Sequence, residues 1–233
     1  MSTVVRGLDI GHVHGESPWI VGDAMGLGQP LGRATHAMVL VHGRGGGAAD
    51  MLGLGAELSA PGFAYVALQA TGRTWYPHSF MAPRERNEPG LSSGLTRLDE
   101  VVETLDEAGI ASHRVVLLGF SQGACLTREF AARQARRWGA VVGLSGGLIG
   151  PPGSVHVEDF ALDADFAGTP IFLGCSDRDP HIPIERVQES NRILGALGGD
   201  VETRIYPGMP HTIIEDEMRW VRERLESLVG SSR

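Results

Sequence analysis

The sequence predicts an α/β fold, a mostly parallel sheet flanked by helices on both faces, and three observations carry that prediction. Short, uniformly apolar runs bounded by Gly or Pro recur at 37–41, 63–68, 114–118, 140–144, 170–174 and 201–206. Strands buried on both faces read this way, without the in–out alternation of a half-solvated sheet. Segments of helical period lie between them, and strand–helix alternation implies βαβ units. Finally, 233 residues that are 42% apolar and 21% charged suffice for one sizeable core. Residues 1–233 are therefore expected to form a single domain.

The elements follow in order. Residues 1–35 are glycine-rich and weakly patterned, an extended or short-strand lead-in. Leu91, Leu95, Leu98, Val102 and Leu105 make one apolar helical stripe, with Gly109 just past its end as a stop. The stretch after Gly123 carries Ala124, Ala131, Ala135 and Trp138 on one face, small residues that let a helix pack closely on a sheet. Ile184, Val187, Leu194 and Leu197 form a weaker stripe that ends at Gly198 and Gly199. Ile214, Met218, Val221, Leu225 and Leu228 repeat the rhythm at the C-terminal end. One segment breaks it. Residues 69–90 have no clear period and contain Arg73, Trp75, Tyr76, Phe80 and Met81. This reads as a lid or binding loop, or as an excursion whose aromatics cover a core edge.

Composition excludes several chemistries. All 20 basic residues are arginine, so a phosphate-binding P-loop lysine, a Schiff-base lysine and a Ser–Lys dyad are ruled out. A net charge of −8 argues against sequence-independent nucleic-acid binding. The densest basic cluster, Arg128, Arg133, Arg136 and Arg137, reads as a solvated helix face. There is no apolar run long enough to insert stably into a membrane, and no signal-peptide core. Two cysteines, Cys125 and Cys175, cannot make a disulfide framework, which points to the cytoplasm.

Chemistry concentrates in the glycine motifs. Gly119-Phe-Ser121-Gln-Gly123 fits the G-x-S-x-G elbow, in which a tight strand-to-helix turn pushes the serine hydroxyl out above the sheet. Gly143-Leu-Ser145-Gly-Gly147 fits as well, but it runs into Gly-Leu-Ile-Gly-Pro-Pro, where no helix can start. Ser121 is thus the candidate nucleophile and Ser145 a turn residue. A serine needs a base, and the base needs an acid to fix its tautomer. After the run at 170–174 come Asp177 and Asp179, and after the last strand comes Pro207-Gly-Met-Pro-His211. His211 is the candidate base; His181 reads as a pocket-rim residue. His12 and His14 lack the further ligands a metal site needs, so no metal is expected. The cluster His42-Gly43-Arg44-Gly45-Gly46-Gly47 follows the first core strand. It formally fits a dinucleotide motif, but no acidic residue stands at the end of the next strand to hold a ribose. The better reading is an oxyanion loop, in which the amides of Arg44 and Gln122 face the developing charge.

Four stretches together, Leu40-Val-His-Gly-Arg-Gly45, Gly119-Phe-Ser-Gln-Gly-Ala124, Asp179-Pro-His-Ile-Pro183 and Gly208-Met-Pro-His211, resemble the α/β-hydrolase fold. More narrowly they resemble the phospholipase/carboxylesterase family that includes acyl-protein thioesterases. The resemblance implies that the acid is the aspartate before the proline, Asp179, and that Trp75 lines an acyl pocket. Tyr76, Arg73 and Met81 are the further candidate substrate-binding residues. It also implies a homodimer. Arg44, Gly46 and Gly47 depart from the apolar and acidic residues common in eukaryotic thioesterases, which argues against protein substrates.

The expected function is a serine carboxylesterase without cofactors. It would cleave small-molecule esters, thioesters or lysophospholipids of short to medium acyl chain through an acyl-enzyme on Ser121. A dienelactone-hydrolase-like lactone or carbon–carbon hydrolase is the alternative within enzymes. A non-catalytic binding protein on the same scaffold is the alternative outside them.

Overall fold

The computed structural model describes residues 24–160 and 163–231, together with the backbone of three short strands at 4–5, 8–9 and 19–21. The elements are β1 (Val4–Val5), β2 (Leu8–Asp9), β3 (Trp19–Val21), β4 (Ala24–Gly28), β5 (His36–Val41), α1 (Ala48–Glu57), β6 (Phe63–Leu68) and α2 (Gly90–Glu107). Then come β7 (Val115–Phe120), α3 (Gln122–Arg133), β8 (Ala140–Leu144), β9 (Pro170–Ser176), α4 (Ile184–Ala196), β10 (Asp200–Tyr206) and α5 (Glu215–Gly230).

Eight strands form one sheet in the order β10-β9-β8-β7-β5-β6-β4-β3. The six from β10 to β6 are parallel, and β4 and β3 add antiparallel strands at one edge. The expected strands are therefore present, each within a residue or two of its expected bounds. The run at 201–206 departs from the expectation, since β10 is a half-exposed edge strand that carries Glu202, Thr203 and Arg204. The apolarity of the inner strands has a direct cause. Along β5, Ala37, Val39 and Val41 join one core and Met38 and Leu40 the other, and β7 divides the same way between Val115 and Leu117 and Val116 and Leu118. Both faces are covered, so both side-chain registers must be apolar. Residues of α2, α3 and α4 build the first core, and those of α1 and α5 the second. Each fully buried Leu or Val contributes about 1.5–3 kcal/mol.

Two expectations about helices are corrected. The helix α1 has no counterpart among the expected elements, because Gly53 and Gly55 dilute its stripe and lower its propensity. It forms because Ala48, Met51 and Leu52 are buried on the sheet, while the Asp50 carboxylate accepts the Gly47 amide at 2.8 Å across the first turn. Conversely, α3 stops at Arg133, so Ala135 and Trp138 do not belong to its face. The chain turns there to bury Trp138, whose amide donates to Thr169 Oγ1 at 2.8 Å. The supposed basic face is corrected too. Arg136 and Arg137 lie beyond the helix, and Arg128 is fully buried, its guanidinium donating to the carbonyls of Gly143 (2.5 Å) and Gly146. Arginine suits this place because its delocalised charge is weakly hydrated and its donors form a fixed fork.

The arrangement leaves every parallel strand ending on one edge of the sheet. The chain runs from β5 to β6 on one side and then to β7 on the other, so a crevice opens where the strand order reverses.

Candidate active site

The loops that follow β5, β7, β9 and β10 meet in this crevice. Ser121 joins β7 to α3 with φ 55° and ψ −119°, a strained conformation for a residue with a side chain. The turn closes only because its flanks are glycine. A Cβ on Gly119 would fall 2.6 Å from Thr127 Oγ1, and one on Gly123 would fall 2.5 Å from the His42 carbonyl. Ser121 thereby stands at the N-terminal end of α3, where the helix dipole favours negative charge.

Ser121 Oγ lies 2.8 Å from His211 Nε2, and His211 Nδ1 lies 2.7 Å from Asp179 Oδ2. A carboxylate can only accept, so the imidazole proton sits on Nδ1 and Nε2 is left to accept the serine proton. The Asp179 side chain is wholly enclosed. Its other oxygen accepts the amides of His181 (2.8 Å) and Ile182 (3.0 Å), which hold the carboxylate in its orientation. Asp177 does other work: it accepts the Gly208 amide at 2.7 Å and braces the start of the loop that carries His211. The His211 ring is held between Phe120 and His181, with ring centroids 5.1 and 5.0 Å away. A hydroxyl, an imidazole and a buried carboxylate in this chain can pass a proton from oxygen to nitrogen and keep the resulting imidazolium beside a negative charge.

Ser145 is placed differently. It follows β8 at φ 55°, but it is buried, no helix follows it, and its hydroxyl has no hydrogen-bond partner among the described residues. Cys125 reaches the same crevice, but burial pushes its thiol up to about 11, so no thiolate forms there at neutral pH. Cys175 is also free and buried.

The loop after β5 packs directly on the elbow. Burial holds the His42 imidazole below its ordinary range, and the neutral ring bridges two backbones. Its Nδ1 donates to the Gly43 carbonyl at 2.7 Å and its Nε2 accepts the Ala70 amide at 3.0 Å. The Arg44 and Gln122 amides are not taken up by any turn, loop or cap hydrogen bond among the described residues.

A cleft of about 610 Å³ opens at Ser121 and His211, lined by Arg44, Tyr76, Pro77, His78, Phe80, Phe120, Gln122, Cys125, His181 and Ile182 among others. Of the expected substrate-binding residues, Tyr76 lines it. Trp75, Arg73 and Met81 do not. Trp75 instead packs in the core and donates its indole N–H to the His42 carbonyl at 2.8 Å. Met81 rests against the same core, and the Arg73 side chain reaches the Gly45 carbonyl at 3.4 Å. His181 stands at the cleft wall, as expected. Phe80 belongs to the irregular 69–90 segment, whereas Phe120 and Ile182 enter the sequence reading only as members of the elbow and Asp179 motifs, where nothing marks them as lining a cleft. Among the described residues no group of three or more His, Cys, Asp or Glu converges as a metal site would. His12 and His14 lie outside them. No helix among the described residues is long and apolar enough to cross a membrane.

A doubly covered parallel sheet with a strained serine elbow and a histidine delivered from after its last strand defines the α/β-hydrolase class. Within it, the chain belongs to the phospholipase/carboxylesterase family, whose model matches residues 28–229. The crystal structure of a phospholipase/carboxylesterase from Dyadobacter fermentans is 40% identical, covers 93% of this chain and 99% of that one, and superposes with a TM-score of 0.83. An acyl-protein thioesterase 1 of Gibberella zeae is 29% identical over 136 residues, 58% of this chain and 57% of that protein. The Saccharomyces cerevisiae acyl-protein thioesterase 1 is 29% identical over 150 residues, 61% and 60%. The match thus spans less than two thirds of the length of these two curated relatives.

Proposed function

We propose that this chain is a serine hydrolase of small carboxylic esters and thioesters, working through an acyl-enzyme on Ser121. One observation carries the reading: the Ser121–His211–Asp179 chain of 2.8 and 2.7 Å contacts opening on the cleft. His211 Nε2 takes the Ser121 proton as Oγ attacks the acyl carbonyl carbon. The carbonyl electron pair moves onto oxygen, where the amides of Arg44 and Gln122 hold it, each such donor being worth roughly 10²–10³ in rate. The intermediate collapses, the bond to the leaving alcohol or thiol breaks, and His211 returns the proton to it. Water then attacks the acyl-serine by the same route, giving the carboxylic acid and free Ser121. Asp179 remains a carboxylate throughout and stabilises the imidazolium. The apolar wall of Phe80, Phe120 and Ile182 suits a short to medium acyl chain. The names of the relatives, carboxylesterase and acyl-protein thioesterase, support the same class of substrate. The chain is read as one domain, and its two free, buried thiols suit a reducing compartment.

The test is covalent labelling by a fluorophosphonate alongside hydrolysis of p-nitrophenyl esters. Wild type and Ser145→Ala should both label and turn over. Ser121→Ala should do neither, with kcat reduced by about 10⁴–10⁶. Labelling that survives in Ser121→Ala refutes the assignment.

A further inference from the structure

The segment 74–80 has no helix or strand of its own, yet side chains from outside it bind its carbonyls one after another. Arg44 Nη1 donates to Thr74 Oγ1 (2.8 Å) and the Pro77 carbonyl (3.1 Å), and Nη2 to the carbonyls of Tyr76 (2.9 Å) and His78 (2.8 Å). Gln122 Nε2 donates to the same Tyr76 carbonyl at 2.7 Å, while its Oε1 accepts the Trp75 amide at 3.0 Å. Buried Asn87 accepts the His78 amide and donates to the Ser79 carbonyl, both at 2.9 Å. These contacts replace the hydrogen bonds that a strand ladder would otherwise supply. Three of the four Arg44 contacts read main-chain carbonyls, which leaves the side chains of Pro77, His78, Ser79 and Phe80 to form one wall of the cleft.

Arg44 therefore faces two ways, its amide toward the oxyanion position and its guanidinium into the wall. We propose that the Arg44 guanidinium is a positioning and specificity-determining group, pinning the 76–80 wall at a set distance from the oxyanion amides so that the cleft selects acyl groups by a fixed shape. A lysine could not substitute, because one ammonium places three donors at a single point whereas the guanidinium spreads five over a rigid fork. The inference rests on the reading of Ser121 as nucleophile.

Arg44→Met keeps the amide and most of the apolar stem and removes all four contacts. With p-nitrophenyl hexanoate, whose chain reaches the wall, kcat/KM should fall roughly 10- to 100-fold, mainly through KM. With p-nitrophenyl acetate the fall should be smaller by at least about fivefold, so that the ratio between the two esters is the readout. Hydrogen exchange of the Tyr76, His78, Ser79 and Phe80 amides should quicken in the variant. Arg44→Lys should show the same ester-dependent split, in smaller degree, and serves alone if the methionine variant does not fold. An equal factor on both esters, or no change on either, overturns the inference. If wild type hydrolyses neither ester and Ser121 resists fluorophosphonate, the serine reading fails, and this inference with it.

Discussion

Glu217 carries a charge that the fold does not accommodate. It lies in the first turn of α5, fully buried, with Oε2 accepting the Ile214 amide at 3.0 Å and Oε1 without a hydrogen-bond partner among the described residues. Burial pushes its carboxyl from an ordinary 4.5 up to about 7; the negative charge of Asp216 adds to the effect, and the Ile214 amide and the Arg128 guanidinium oppose it. The unfolded chain releases this proton near 4.5 while the folded chain keeps it to about 7, so between those values the unfolded state binds fewer protons. Stability must then fall as pH rises through that window. The difference of 2.5 units between 4.5 and 7, at about 1.4 kcal/mol per unit, makes the full penalty about 3 kcal/mol. Glu217→Gln keeps an acceptor for the Ile214 amide and has no proton to lose. Its urea-unfolding free energy should gain on wild type by roughly 2–3 kcal/mol between pH 5 and pH 8. In thermal melts that is a widening gap of roughly 5–10 °C for a chain of this size. Every other titrating group is common to both proteins, so the pH dependence of the gap isolates this carboxyl. A gap that is constant with pH, or that narrows as pH rises, refutes the reasoning.

Three further outcomes are expected. Asp179→Asn should preserve the fold but reduce kcat by about 10⁴, because an amide can hold the imidazole in the wrong tautomer; a loss under about tenfold in steady-state assays would refute the proposed role of Asp179 in orienting His211. Gly123→Ala should cost about 1–3 kcal/mol in urea unfolding, since its Cβ meets the Val41 and His42 carbonyls, and should also depress kcat by about 10² as the elbow and the loop after β5 are forced apart. Full activity in that variant would mean the two loops are not coupled. Glu129 is fully buried and accepts Arg84 (2.5 Å), Arg133 (2.8 Å) and the Ile149 amide (3.2 Å). Glu129→Ala should destabilise by about 3 kcal/mol, the lower end for a broken buried pair because both arginines can reach water; a change under about 1 kcal/mol in the denaturation midpoint analysis would contradict that.

The inner strands were legible because a strand covered on both faces must be apolar throughout, a constraint written into residues 37–41 and 140–144. The helix α1 was not, because its glycines carry little hydrophobic signal and only its fit on the sheet explains it. Arg128 misled for a related reason. Spacing places a residue on a helix face but does not say which way that face looks, and here it looks inward onto the Gly143 and Gly146 carbonyls. Trp75 was rightly marked as an aromatic of the irregular segment, yet its indole is spent on the His42 carbonyl, one residue removed from the cleft.

The sequence by itself determined the α/β class, the tight turn around Ser121, and the order in which serine, acid and histidine follow their strands, since each depends on residues adjacent in the chain. The distances were decided elsewhere. Ser121 and His211 are 90 positions apart and follow β7 and β10, with β8 and β9 between. Their 2.8 Å contact depends on the reach of the two loops across that sheet. So does the second use of Arg44 and Gln122. Their amides could be inferred from the glycines beside them, whereas the grip of their side chains on residues 74–78 exists only once β5, β6 and β7 have brought three loops to one edge.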